Sequence, residues 1–325
     1  MKPFARLTRT RTIAVLLASC VMALSGGRTL CAQSGGSTQN EMSPRERAAL
    51  DVANGWISGW LAKDPEKVAS YMDEDVFWAG GFPDNPLFGI WRGRDRYMQQ
   101  DGGATRTGVK FTMAEVLAVG GSRGTAILHR RIDEGGIDGF GFGAARGTGG
   151  QGMWFTNAVF FWVTDGKIKI WLDAPASPNT TRDQAPPLSS FAVQEQPALE
   201  LVKNWVAAWN ARDPEKVASY MADDAQYSAY YPQYITEIGK AHFLETHGPN
   251  IRTGVDMRIV QSLAVGGSRG VGVLLRRIDR FTVGGHQVEV PTAAFYWVVN
   301  GKIHTWLDLP LEPPPTTASG AVVVR

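Results

Sequence analysis

Past residue 32 the chain has no cysteine, because its only two, Cys20 and Cys31, come earlier. A protein cut at that point would have no disulfide, no thiolate nucleophile and no cysteine-held zinc. Long apolar runs are missing too. The longest, Ile13 to Leu24, is short for a bilayer, and nothing later approaches the ~18 residues that a spanning helix needs. Nor is there a basic run downstream. Residues 1–32 hold Lys2, Arg6, Arg9, Arg11 and Arg28 with no acid, so the formal net charge of +2 becomes −3 without them. The cationic surface that dominates phosphate-backbone binding has no source, which excludes a nucleic-acid partner. His129, His242, His247, His286 and His304 show no metal-ligand spacing, and no cofactor is expected.

What is present fits an ordinary soluble protein: 325 residues, 44% hydrophobic and 20% charged, enough for two domains of common size. Residues 1–32 read as an export signal, with a basic start, an apolar core and smaller residues before Ala32-Gln33. This predicts a periplasmic or secreted protein. A second reading is a lipoprotein, since Leu17-Ala-Ser-Cys20 resembles a lipobox and a lipidated Cys20 would supply a membrane anchor. The apolar run continues through Leu24, which favours plain cleavage.

The two halves repeat one another. Asp64-Pro-Glu-Lys-Val-Ala-Ser-Tyr-Met72 returns letter for letter as Asp213 to Met221. Leu117-Ala-Val-Gly-Gly-Ser-Arg-Gly124 returns as Leu263 to Gly270, Arg130-Arg-Ile-Asp133 as Arg276 to Asp279, and Trp171-Leu-Asp173 as Trp306 to Asp308. The period is too long for a solenoid, so each copy is a whole domain. The first spans residues 45–173 and the second 196–309. Residues 174–195, rich in Pro, Ser and Thr, read as a linker, and 310–325 as a flexible tail.

Within each copy Trp56 and Trp60, or Trp205 and Trp209, recur at helical spacing. Asp64 and Asp213 are N-caps followed by proline. A short helix follows Gly93, and then come β-rich runs at 109–119, 125–133, 155–164 and 167–172. Helices first and a strand meander last predict an α+β fold, a bent antiparallel sheet wrapped on its N-terminal helices. Gly-Gly-Ser-Arg-Gly precedes a strand, so it is a hairpin turn rather than a phosphate cradle.

Chemistry falls on two strand positions. Alternation puts Arg131 and Asp133 on one face and Arg130 and Ile132 on the other. Asp173, ending the last strand, brings a second carboxylate to the same cavity if that strand pairs nearby. Arg277, Asp279 and Asp308 repeat the arrangement. Two carboxyls flanking an arginine can share one proton, with one acting as acid and the other as base toward water. The competing reading is structural. A buried Arg-Asp pair is commonly a plain ion pair, and Asp173 and Asp308 could cap a turn. The paired tryptophans read as core between helix and sheet.

Each copy resembles the limonene-1,2-epoxide hydrolase group of the nuclear-transport-factor-2-like superfamily. The helix pair with Asp-Pro-Glu-Lys-Val-Ala-Ser-Tyr-Met, Gly93-Arg-Asp95, Arg-Arg-Ile-Asp and Asp165-Gly-Lys-Ile-Lys-Ile-Trp-Leu-Asp173 carry the likeness. The resemblance implies that Asp133 and Asp279 are general acids, that Asp173 and Asp308 are bases toward water, and that Arg131 and Arg277 bridge them. It also implies a water held by a Tyr and an Asn two residues apart on the first strand. Those positions fall on Trp78 and Gly80 in the first copy, and on Tyr227 and Ala229 in the second. The second copy, with Tyr227, is thus nearer the pattern. Asn85, Asn157 or Tyr230 could replace the missing amide.

Three functions remain open. One is hydrolysis of a small apolar epoxide. Another is a ketosteroid-isomerase or polyketide-cyclase-like activity, against which an arginine beside the base argues, because it lowers basicity. The third is a binding module for a small apolar ligand, which the missing Asn favours. The tandem copies could also pair as an intramolecular pseudo-dimer.

Overall fold

The computed structural model describes residues 42–80, 91–107, 110–135, 153–178, 180–229, 237–283 and 285–313. The leader with its two cysteines, most of the tail, and the candidate water ligands Asn85 and Tyr230 lie outside them. Among the described residues no helix is long and apolar enough to cross a membrane.

The first copy opens with α1 (Pro44–Leu61), whose Ser43 and Glu46 form a reciprocal capping box. Asp64 caps α2 (Pro65–Ser70), accepting from the Lys67 amide at 2.9 Å. Then come β1 (Met72–Gly80), β2 (Trp91–Arg92), α3 (Arg94–Gln100) and α4 (Gly102–Thr107). The meander is β3 (Lys110–Gly121), β4 (Gly124–Gly135), β5 (Met153–Thr164) and β6 (Lys167–Pro175). A short β7 (Thr180–Thr181) pairs with β5. The second copy repeats the plan as α5 (Ala192–Asn210), α6 (Pro214–Ser219), β8 (Met221–Ala229), β9 (Glu237–Ile238), α7 (Lys240–Thr253), β10 (Asp256–Gly267), β11 (Gly270–Val283), β12 (His286–Val299) and β13 (Lys302–Pro310). Gly93 and Gly239 open α3 and α7 at φ of 93° and 96°, where a Cβ would be strained.

The α+β class and its two copies are as expected, with one difference in pairing. The sheets are mixed. The order is β2-β1-β6-β5-β4-β3 in one and β10-β11-β12-β13-β8-β9 in the other. The meander is antiparallel throughout, but β1 lies parallel to β6 and β8 parallel to β13. A hairpin forces neighbours to run antiparallel, whereas β1 and β6 are joined only through the whole intervening domain, which leaves their direction free. The segment 174–195 is also more structured than its composition suggests. Ala174 and Pro175 end β6, and residues 192–195 form the first turn of α5.

Each copy buries its own interior between helices and one sheet face. Trp56, Trp60, Trp78, Phe161 and Trp171 lie in one such core, and Trp205, Trp209, Tyr227, Tyr296 and Trp306 in the other. A third core joins the opposite faces of both sheets, with Leu128, Phe160 and Trp162 packed among Leu274, Phe295 and Trp297. Phe160 and Phe295 meet there at 4.6 Å between ring centres. Reciprocal ion pairs flank that contact. Arg130 meets Glu195 of α5, while Arg276 meets Glu46 of α1.

Candidate active site

Strand register builds each site. Cross-strand partners share a face, so Arg131 opposite Asn157, Asp133 opposite Phe155 and Asp173 opposite Val159 all point into the interior of the first copy. Asp173 stands two strands from β4, roughly 10 Å away. Arg131 spans that distance across Val159, and in the second copy Ala294 is the small residue opposite Asp308. The aspartates lie inside strands rather than capping turns.

The geometry is nearly the same twice. Arg131 donates to both oxygens of Asp133, at 2.6 and 2.7 Å, and its Nη2 lies 2.7 Å from Asp173 Oδ2. Arg277 donates to Asp279 at 2.5 and 2.8 Å and to Asp308 Oδ2 at 2.6 Å. All six residues are buried. Burial pushes Asp133 up to about 6 against the pull of Arg131, and the charge of Asp173 adds to the rise. Burial likewise raises Asp173. Asp308 is pushed up to about 6 for the same reason, against Arg277 and with help from Asp279. Burial opposes the charge of each arginine, and the paired carboxylates outweigh it, so both stay cationic.

Several partners lay outside the residues singled out in the sequence. The ring of Phe111 lies 4.0 Å below the Arg131 guanidinium. The Asn157 amide donates to Asp133 Oδ2 at 2.6 Å. In the second copy Thr292 donates to Asp279 Oδ2 at 3.2 Å, Trp306 Nε1 to Asp308 Oδ1 at 2.7 Å, and Arg277 Nη1 to Tyr296 Oη at 2.8 Å. The pairwise alignment of β5 with β12 held the one available signal, since Phe161 stands where the repeat has Tyr296.

The first copy has no hydroxyl to match Tyr296, because Phe161 stands there. Among the described residues Arg131 Nη1 makes no hydrogen bond, while Trp171 still interacts with Asp173 and opposes the rise that burial causes. The ring of His129 is buried nearby, stacked 5.5 Å from Phe161. Burial and the nearby Arg131 push its pKa down to about 3, which keeps it neutral. Indole nitrogens of Trp56 and Trp60, and of Trp205 and Trp209, lack partners in both interiors.

Tyr227 is buried with its ring stacked 5.9 Å from Trp306, and its hydroxyl makes no hydrogen bond to the carboxylates or the arginine. Trp78 takes the same place, stacked 5.6 Å from Trp171. Register sets Gly80 beside Asp173 and Ala229 beside Asp308, so neither offers an amide. Among the described residues no group of three or more His, Cys, Asp or Glu is placed to hold a metal ion.

Comparison with known proteins bears on the family. No curated protein sequence matches the chain. Among solved structures, an M. tuberculosis LEH-like epoxide hydrolase is 19% identical over 41% of this chain and 82% of its own, with a TM-score of 0.30. A Kribbella flavida protein assigned as a ketosteroid isomerase is 20% identical over 41% of this chain and 93% of its own, at 0.30. AusH from Aspergillus nidulans is 13% identical over 39% and 92%, at 0.32. At such identities and scores the likeness says nothing about activity. The SnoaL-like domain model, in contrast, matches residues 53–171 and again 202–306, so the chain belongs to the SnoaL-like family of the nuclear-transport-factor-2-like fold as a tandem of two such domains.

Proposed function

We propose that the chain adds water to a small apolar epoxide by acid-base catalysis, without a covalent intermediate. The observation that carries this is the single buried guanidinium spanning two buried carboxylates from strands two apart, present in both copies. In the first copy, protonated Asp133 gives its proton to the epoxide oxygen as that C–O bond breaks. Ionised Asp173 takes a proton from the water whose oxygen forms the new C–O bond. The product is a 1,2-diol, and the proton on Asp173 must return to Asp133 before the next cycle. Asp279 and Asp308 are the matching pair in the second copy, where the raised carboxyl is Asp308, the one at the base position. The raised pKa of Asp133 supports a carboxyl that still carries its proton in mild acid. Aromatic walls suit an apolar ring.

An isomerase is a poorer fit, because an arginine bonded to both carboxylates weakens either as a base toward carbon. A non-catalytic binding module is favoured by Gly80 and Ala229, which leave the attacking water without an amide. Export through residues 1–32 belongs to the same proposal. N-terminal sequencing of natural protein should find a start near Gln33 or at a lipidated Cys20, and an intact Met1 would exclude both.

The test of catalysis is cyclohexene oxide in oxygen-18-labelled water. Wild-type protein should release cyclohexane-1,2-diol whose new oxygen comes from solvent even in a single turnover. Asp133→Asn and Asp173→Asn should each cut the rate by about a hundredfold or more if that copy is active, the scale of a lost general acid or base. Asp279→Asn and Asp308→Asn test the other copy in the same way. The double mutant within a copy should be scarcely worse than either single one, because the groups act as a unit. Absence of diol would sink the hydrolase, and first-turnover oxygen drawn from the protein would sink the single-step route.

A further inference from the structure

We infer that one aromatic position on the central strand decides which copy admits a ligand, with Phe161 leaving the first site open and Tyr296 closing the second. This rests on reading the arginine-bridged carboxylates as the place of action. Phe161 and Tyr296 occupy the same register, opposite Trp171 and Trp306. They differ by one hydroxyl, and that oxygen accepts from Arg277 Nη1 at 2.8 Å. Trp306 Nε1 also occupies Asp308 Oδ1. The guanidinium nitrogen Arg277 Nη1 is therefore engaged within its own copy.

The first copy has the same arginine and carboxylates, with no hydroxyl at Phe161 to meet the arginine. Arg131 is 3% exposed, yet its Nη1 has no hydrogen-bond partner among the described residues. A buried charged donor left without a partner is costly, so an oxygen from outside the chain gains by sitting there. Asp173, held by Arg131 and beside Trp171, can still accept from a hydroxyl or a water. The ligand class that satisfies both is a compact apolar ring bearing an oxygen acceptor beside a hydroxyl or a water. A 1,2-diol, or an epoxide with its water, has that pattern. The likeness of Tyr227 to the family's water-holding tyrosine pointed to the second copy, but its hydroxyl does not reach these groups. The single oxygen of Tyr296 outweighs that likeness.

The test uses the full chain with nitrogen-15-labelled tryptophan, titrated with cyclohexane-1,2-diol and followed at the indole N–H signals. In the wild type, Trp56, Trp60 and Trp171 should respond, while Trp205, Trp209 and Trp306 should not. Phe161→Tyr should weaken the first response by about tenfold or more, the worth of roughly one hydrogen bond. Tyr296→Phe should make the second set respond. The ligand-free spectrum checks that each variant is folded, and if Phe161→Tyr fails to fold, Tyr296→Phe still decides. A second set responding in the wild type, a silent first set, or a Tyr296→Phe spectrum unchanged by diol overturns the inference. Turnover of cyclohexene oxide in the same samples separates the two readings. With no diol formed but the expected tryptophan pattern, the hydrolase reading falls and the gate stands. With diol formed at an undiminished rate by Phe161→Tyr, the gate falls and the hydrolase reading stands.

Discussion

Asp133 and Asp308 keep their protons up to about pH 6, because burial outweighs the arginine beside each. The unfolded chain loses those protons near its ordinary carboxylate value of about 4. Between roughly pH 4 and 6 the folded state therefore binds more protons than the unfolded one, and stability falls as pH rises through that window. A shift of about two units bounds the effect at roughly 3 kcal/mol per group. Urea unfolding at a series of pH values should show this decline in the wild type and a shallower one in Asp133→Asn. An equally steep decline in the variant would mean that Asp133 is not the group releasing the proton. Arg131, Asp133 and their counterparts were legible in the sequence, because period-two alternation fixes which side chains share a face. Asn157 and Tyr296 were not, because what they touch depends on register between strands distant in sequence.

At the scale of elements, β4 uses adjacent residues for separate tasks. Arg131 faces the site, while Arg130 faces the other copy, where it meets Glu195 and the Gly266 carbonyl, with Glu115 of its own copy alongside. Glu195 also accepts from the Gly266 amide at 2.9 Å, as Glu46 does from Gly120 at 3.0 Å. Composition placed Glu195 in a linker. The structure makes it the first turn of α5 and the acid that holds a fully buried guanidinium. Glu195→Ala should cost about 3 kcal/mol in urea unfolding, the low end for breaking a buried ion pair, because Glu115 remains. A loss within a few tenths of a kcal/mol would show that Glu115 and the carbonyl suffice.

Over the whole molecule, the core between the sheets makes the copies depend on each other. Alone, each would present the apolar face that holds Phe160 or Phe295 to water, a patch that promotes association. Calorimetry should therefore find one cooperative transition for both copies. Phe160→Ala should lower it as a whole, at a cost of about 3–5 kcal/mol. Two separated transitions, with only one moved by the substitution, would show that the copies unfold independently.

Local rules acting within a copy determined much of this protein from sequence alone. The exact repeats showed that there are two domains. Capping acids and helical spacing located α1, α2 and their counterparts, and turn glycines delimited β3 and β4. Alternation paired each arginine with its aspartate. Tertiary structure decided the rest, because the rest depends on residues far apart in the chain. Neither the parallel placing of β1 against β6, the seating of Glu195 beneath Arg130, nor the reach of Arg131 across Val159 to Asp173 is written in any local pattern. The same holds for the contrast between the sites. Phe161 and Tyr296 are both good aromatic core residues by sequence. Only folding brings one phenolic oxygen to Arg277 and leaves the matching Arg131 nitrogen without a partner.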